Sequence, residues 1–360
     1  MLTLAGFSKQ YLYGASLFGG VDATFRDGEI VALTGGAGSG KTSFLKAVAG
    51  ASDAEGRVLL DGQKIERKTD KVIMVFDDGA VFGMKTVFDN LAYPLKLRGV
   101  PAAESAAAVV AAAEEMGIGA CLNMRARRLD AADRRRMSLA RLLVRPARLC
   151  LVDEPTKGLE KEDAEEVFRD FASAVRRLAA GGATVIYSTS SREEAMAASD
   201  RIGVLVRGEL KQLGSVAEIR KSPESVWAAE FVEPCYNVAK ATLSCENGHM
   251  KLVFGENDEM CADALKGRVA AGYIGREVLV GWFPEDTAKE EPDCERMAKT
   301  AYAVGDKFGF VLRTEDGFSQ RSDAKGERVC IRPDIERATL FDSTNEFSIM
   351  LPEEAAEEGE

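Results

Sequence analysis

The chain has 360 residues, with 47 basic and 58 acidic side chains and a net charge of −11. Its 46% apolar content is enough to build the cores of two or three domains. The acidic balance argues against a nucleic-acid protein, whose usual footprint is a basic surface. A single histidine, His249, leaves no room for His-rich metal sites.

Seven scattered cysteines without a CxxC pair suggest reduced thiols rather than a zinc knuckle or a disulfide framework. The longest uncharged stretch, residues 178–191, contains Gly181, Gly182 and several hydroxyl residues, and is too short and polar to span a bilayer. The amino terminus shows no basic start followed by an apolar run, so no signal peptide is expected. These features predict a cytoplasmic chain that reaches a membrane only through a partner.

From residue 1 to about 233, short apolar runs alternate with amphipathic segments, the rhythm of an α/β domain with a largely parallel sheet. Strands are expected at 29–33, 72–76, 149–152, 184–187 and 202–206. The alanine- and glutamate-rich stretch 101–124 reads as a helical subdomain. From Cys235 onward, short strand-like pieces broken by Gly, Asn and Asp are expected at 269–274, 278–282, 308–312 and 329–331, fitting a small barrel or sandwich. The predicted domains are therefore 1–233, 234–352 and an acidic tail at 353–360.

The sharpest local signal is Gly35-Gly36-Ala37-Gly38-Ser39-Gly40-Lys41-Thr42, followed by Ser43, a complete G-x-x-x-x-G-K-[ST]. Glycines let the backbone wrap until its N–H groups converge on phosphate oxygens, and the helix that follows points its positive end at the same place. Lys41 can reach the β- and γ-phosphates, and the Thr42 hydroxyl can bind Mg²⁺. The motif follows an apolar strand and opens a helical run at 44–49, the context it requires. Further on, an apolar strand ends in Asp153-Glu154-Pro155. There Asp153 suits the Mg²⁺ shell and Glu154 suits activation of the attacking water. Together these motifs predict a P-loop nucleotide triphosphatase.

With these motifs in place, the chain resembles the ATP-binding subunits of ATP-binding-cassette (ABC) importers, especially the carbohydrate and polyol type, over nearly its whole length. Residues 75–82 and 86–91 resemble that family's glutamine loop and the stretch after it. Residues 129–141 sit where its signature and signature helix belong. Glu193-Glu194-Ala195-Met196 with Asp200-Arg201-Ile202 resembles the segment after its switch histidine, and residues 208–214 resemble the segment that closes the domain. Residues 280–285 resemble a turn in the appended oligonucleotide-binding-like (TOBE) regulatory domain.

The resemblance implies ATP and Mg²⁺ as cofactors, with Tyr11 or Tyr13 stacking on adenine. It also implies transmembrane permease subunits, an external solute-binding protein and a second ATPase subunit as partners. The location implied is the cytoplasmic face of the cell membrane, with residues 79–90 receiving the permease.

Several positions depart from the family pattern. Its Mg²⁺-touching glutamine is Asp77 here, which would place a carboxylate at the metal. The signature Leu-Ser-Gly-Gly-Gln appears as Leu129-Asp130-Ala131-Ala132-Asp133. The aspartate after the Walker B acids is Glu160, and the switch histidine is Ser190. In this family two subunits sandwich ATP, so Asp130 would bring a negative charge toward a partner's γ-phosphate. At an effective dielectric near 20, that repulsion is about 4 kcal/mol at about 4 Å. Asp130 is expected to turn away, bind Mg²⁺ or be offset by Arg134, Arg135 and Arg136, a cluster that, with Arg125, Arg127 and Arg128, also reads as a solvated helix face. A homodimer would carry every departure in both sites and hydrolyse ATP poorly, so a heterodimer with an intact partner is expected. The alternative is a soluble ATP-dependent switch acting through its C-terminal domain.

Overall fold

The computed structural model describes residues 1–10, 16–65, 69–77, 81–254, 258–286, 298–303, 310–314, 319–322 and 334–351. Tyr11, Tyr13, part of the glutamine-loop stretch (78–80), the expected strand 329–331 and the tail 353–360 lie outside the described residues. The structure divides into two units, Met1–Val216 and Ala217–Glu360.

In the first unit, β1 (Leu2–Gln10), β2 (Ser16–Phe25), β4 (Glu55–Leu60) and β5 (Gln63–Lys64) form an antiparallel sheet in the order β2-β1-β4-β5. The second sheet comprises β3 (Ile30–Thr34), β6 (Val72–Val75), β7 (Leu149–Asp153), β8 (Thr184–Ser188), β9 (Arg201–Val206) and β10 (Glu209–Gly214), in the order β10-β9-β3-β8-β7-β6. Strands β6, β7, β8, β3 and β9 run parallel, and β10 closes the edge antiparallel. All five expected strands of this sheet are present.

Strands β3, β7 and β8 are buried along their full length, which explains their mainly apolar composition. Helix α1 (Lys41–Val48) drives Phe44 and Leu45 into a core shared with Leu2, Leu4 and Phe7 of β1 and Val31 and Leu33 of β3. The Phe7 and Phe44 rings meet edge-on at 5.7 Å. The phosphate loop is thus anchored at its helix by one core and at its strand by the central sheet.

A helical region carries α2 (Val87–Lys96), α3 (Ala102–Glu115) and α4 (Ala131–Ala140), matching the helical reading of the alanine-rich stretch. Helix α5 (Lys161–Ala180) follows the acids of β7, and α6 (Arg192–Ala198) follows β8. On β7 the Cys150 side chain is fully buried, and burial pushes its thiol pKa up to about 12. At the base of β3, buried Glu29 accepts from Arg201 Nε and Nη2 at 2.5 and 2.8 Å, while Asp200 accepts the Ile30 N–H at 2.8 Å. The Asp-Arg pair picked out in the sequence therefore fastens β9 to β3.

The second unit begins earlier than the composition change at Cys235. It takes in most of α7 (Val216–Lys221) and all of α8 (Val226–Val232), and the start of α8 bonds to the segment that follows the last strand. The Val226 N–H donates to Glu346, and Ser225 bridges Phe347. Strands β11 (Asn237–Glu246), β12 (His249–Phe254), β13 (Asp258–Cys261), β14 (Glu277–Trp282) and β18 (Thr339–Asp342) form an antiparallel sheet in the order β13-β12-β11-β14-β18. A separate antiparallel sheet comprises β15 (Ala298–Ala303), β16 (Phe310–Thr314) and β17 (Ser319–Ser322). Leu243, Leu252, Val278, Val280, Trp282 and Leu340 fill the core of the five-stranded sheet.

The strand expected at 269–274 is not formed. Val269 makes one isolated bridge, residues 271–273 form a tight helical turn, and Gly275 reverses the chain at φ 83°. The small residues Ala270, Ala271 and Gly272 supply too little side chain to hold a strand on a sheet.

Candidate nucleotide site

Strand β8 lies between β3 and β7, so the phosphate loop after β3 and the acids ending β7 open at the same edge of the sheet. This is the carboxyl end of a parallel sheet, where α/β folds place their ligands. Gly40 adopts φ 100° and caps α1, and Gly38 adopts φ 75°. At Gly35 a Cβ would lie 2.1 Å from the Leu205 carbonyl oxygen, so only glycine fits there. Lys41 is buried and folds back, donating to the Gly35 and Gly36 carbonyls at 2.8 and 3.4 Å. Ser39 is buried as well, with no protein partner for its hydroxyl among the described residues. Ala37 and Ser43 lie on the loop and the first turn of α1.

The sequence-selected acids converge on α1. Thr42 Oγ1 donates to Asp153 Oδ1 at 3.1 Å, and Ser188 Oγ donates to the same oxygen at 2.6 Å. Asp153 is fully buried, and its Oδ2 has no partner among the described residues. A carboxylate oxygen kept apart in this way beside a threonine hydroxyl is a hard-oxygen donor set, and Mg²⁺ fits it. Glu154 follows at φ 45°, with its N–H donating to Ser188 Oγ and O at 3.0 and 3.2 Å.

The substituted positions take up definite roles. The Asp77 carboxylate receives Lys157 Nζ at 2.7 Å, which raises the Lys157 pKa, and its backbone carbonyl accepts from Arg135 at 2.6 Å. Asp77 is therefore tied by Lys157 to the loop after the acids of β7. Asp130 caps α4, accepting the Asp133 N–H at 2.8 Å, so its carboxylate faces its own helix. Leu129 and Ala132 are buried, and Ala131 is exposed.

The arginine cluster is divided. Arg125, Arg127 and Arg128 form the expected solvated face. Arg136, by contrast, pairs with Asp170 at 2.8 Å and with Asp133 and Glu166 at 3.4 Å, and Arg134 donates to Leu129 O at 2.9 Å. Ser190 and Glu160 are exposed, Glu160 preceding α5 without capping it by its side chain.

Lys157 and Ser188 of this edge were given no role by the sequence, and Glu194 entered only as part of the segment after the switch position. Buried Glu194 accepts hydroxyl donors from Thr156, beside the acids, and Thr189, beside the switch position. Burial raises its pKa, with the two hydroxyls opposing.

A profile described as ABC transporter matches residues 18–157. The sulfoquinovosyl glycerol transport ATP-binding protein SmoE of Agrobacterium fabrum is 31% identical over 353 residues, covering 94% of this chain and 96% of that one. The chain belongs to the ATP-binding subunits of ABC importers.

The trehalose/maltose import ATP-binding protein MalK of Thermococcus litoralis is 34% identical over 72% of each chain. The sn-glycerol-3-phosphate import protein UgpC of Burkholderia mallei is 32% identical over 79% of each. Among solved structures, cbiO1 from Clostridium perfringens superposes with a TM-score of 0.55 at 21% identity, covering 65% of this chain and 95% of that one. The ADP- and Pi-bound cassette MJ0796 gives 0.53 at 22%, covering 60% and 98%. These two report the fold. Membership makes this ABC subunit an ATPase that uses ATP with Mg²⁺, and implies permease and solute-binding partners.

Proposed function

We propose that the chain energises uptake of a carbohydrate or polyol-type solute as the altered member of a pair of ATPase subunits. The observation that carries this reading is an intact Lys41, Thr42, Asp153 and Glu154 set beside a signature helix whose Asp130 is spent on its own cap. The names of SmoE, MalK and UgpC support a sugar or glycerol-linked solute.

In this reading, Lys41 leaves the loop carbonyls for phosphate oxygens, and the N–H groups from Gly36 to Ser43 line the same anion. Mg²⁺, when bound, neutralises phosphate charge as the terminal group leaves. Thr42 and Asp153 would hold that ion. Glu154 takes a proton from the attacking water as the bond between the γ-phosphorus and the bridging oxygen breaks, yielding ADP and phosphate. Ser190 supplies no imidazole to the γ-phosphate where the family has histidine, and Asp130 supplies no free donor to a partner's nucleotide, so each composite site lacks a different stabilising group. Losing one such group costs about 10²–10³ in rate.

Docking on a permease is supported by an apolar patch that composition did not reveal. Phe82, Met84, Tyr93 and Leu97 are exposed on α2 and the loop before it, with Met84 66% and Leu97 70% exposed. The Phe82 and Tyr93 rings meet at 4.9 Å beneath Lys85. Among the described residues, no helix is long and apolar enough to cross a membrane. Peripheral attachment to the cytoplasmic face through this patch completes the proposal.

Solubilised membranes containing the tagged chain test it. Co-purification of integral subunits together with a second ATPase is expected, as is weak turnover by the chain alone. Fast ATPase from the pure chain, abolished by Glu154→Gln, would overturn the heterodimer. Exclusively soluble partners would instead favour a nucleotide switch acting through the second unit.

A further inference from the structure

Ser188 ends β8 and stands in register with Leu33 on β3 and Asp153 on β7. In a parallel pair, register partners present their side chains to the same face, so the Ser188 hydroxyl arises beside the carboxylate. Both residues are fully buried. The hydroxyl makes two bonds, donating to Asp153 Oδ1 at 2.6 Å and accepting the Glu154 N–H at 3.0 Å. With Thr42 also donating to Oδ1, that oxygen is held by two hydroxyls, while Oδ2 has no partner among the described residues. The terminal torsion of an aspartate is broad and two-fold, so nothing intrinsic distinguishes its two oxygens. Two donors on one side make that distinction.

We propose that Ser188 is a positioning residue that commits Asp153 Oδ1 to the protein, leaves Oδ2 for Mg²⁺, and fixes the backbone carrying Glu154. It acts through the two acids without touching the ion. Were the Thr42 hydroxyl oxygen engaged by the ion, Ser188 would remain as the donor on Oδ1. The left-handed backbone of Glu154 gains a partner from the same hydroxyl, so one side chain sets both the metal-holding carboxylate and the base.

The test uses the full chain with Ser188→Ala, Ser188→Val and Ser188→Thr. A fluorescent ATP analogue measures nucleotide affinity in EDTA and across a Mg²⁺ titration, and bound Mn²⁺ is followed by electron paramagnetic resonance. Removing a group that orients a metal ligand weakens metal affinity by about 10–100-fold. The Ala and Val variants should therefore need about 10-fold or more Mg²⁺ for half-maximal effect and bind Mn²⁺ correspondingly weakly. Their affinity in EDTA should stay at the wild-type value, and Thr, which restores the hydroxyl, should recover both readouts. Unchanged Mg²⁺ and Mn²⁺ dependence in either hydroxyl-free variant would overturn the assignment. An equal loss of affinity with and without metal would also overturn it, because that pattern reports general loosening of the edge.

Discussion

A non-glycine residue held at positive φ, as Glu154 is at 45°, costs about 1–2 kcal/mol, and its two bonds to Ser188 hold it there. A second carboxyl nearby faces the opposite problem. Glu194 is buried between Thr156 and Thr189, and burial raises its pKa above the usual carboxylate range. The folded protein therefore keeps this proton to higher pH than the unfolded chain does. The contribution of Glu194 to stability is complete at acidic pH and is lost as pH rises through its folded value. Glu194→Gln cannot ionise, so its melting temperature should gain on wild type as pH rises from the ordinary glutamate range upward through the raised folded value. Parallel melting curves for the two proteins across that range would contradict this assignment. Neither the role of Ser188 nor the burial of Glu194 could be read from the chain. Asp153 and Ser188 are 35 residues apart, and only strand register makes them neighbours.

At the element scale, α4 shows how a changed signature still makes a good helix. Asp130 at the N-cap position is among the best caps available, and replacing such a residue with Ala costs about 1 kcal/mol. Asp130→Ser keeps a capping oxygen and removes the charge. We expect Asp130→Ala to lower stability by about 1 kcal/mol in denaturant melts and Asp130→Ser to lose only a few tenths. Paired with an intact ATPase subunit, Asp130→Ser should raise turnover, whereas equal turnover of the two proteins would show that the carboxylate is harmless to the partner's nucleotide. On β14, a Cβ at Gly281 would lie 2.7 Å from the ring carbons of Tyr236 and Phe341, both buried. Gly281→Ala should therefore destabilise the second unit by about 1–3 kcal/mol, seen as a lower denaturant midpoint. The strands of the parallel sheet were legible because each carries a short, largely apolar run, with β3, β7 and β8 buried along their whole length. The edge sheet of β1, β2, β4 and β5 was not foreseen, since Glu55, Arg57, Gln63 and Lys64 interrupt its apolar pattern. The G-x-x-x-x-G-K-T loop was legible for another reason. Its backbone geometry and its charge each dictate a residue type, as Gly35 against the Leu205 carbonyl shows.

For the whole molecule, the central sheet joins nucleotide chemistry to folding, because the loop and acids of the site all leave from its buried strands. That gives Cys150 a use unrelated to catalysis. Its thiol is completely enclosed in β7, three residues before Asp153, whereas Cys245 and Cys261 are exposed on the second unit. A thiol reacts as thiolate, so a buried one pushed up to about 12 stays inert until its strand opens. Alkylation of Cys150, followed by mass spectrometry, thus becomes a clock for opening of the strand that carries the acids. A nucleotide present at 100 times its dissociation constant stabilises the folded state by about 2.7 kcal/mol, so ATP with Mg²⁺ should slow that clock by about 100-fold while Cys245 and Cys261 react at unchanged rates. Equal protection of all three thiols would mean that the ligand tightens the chain everywhere.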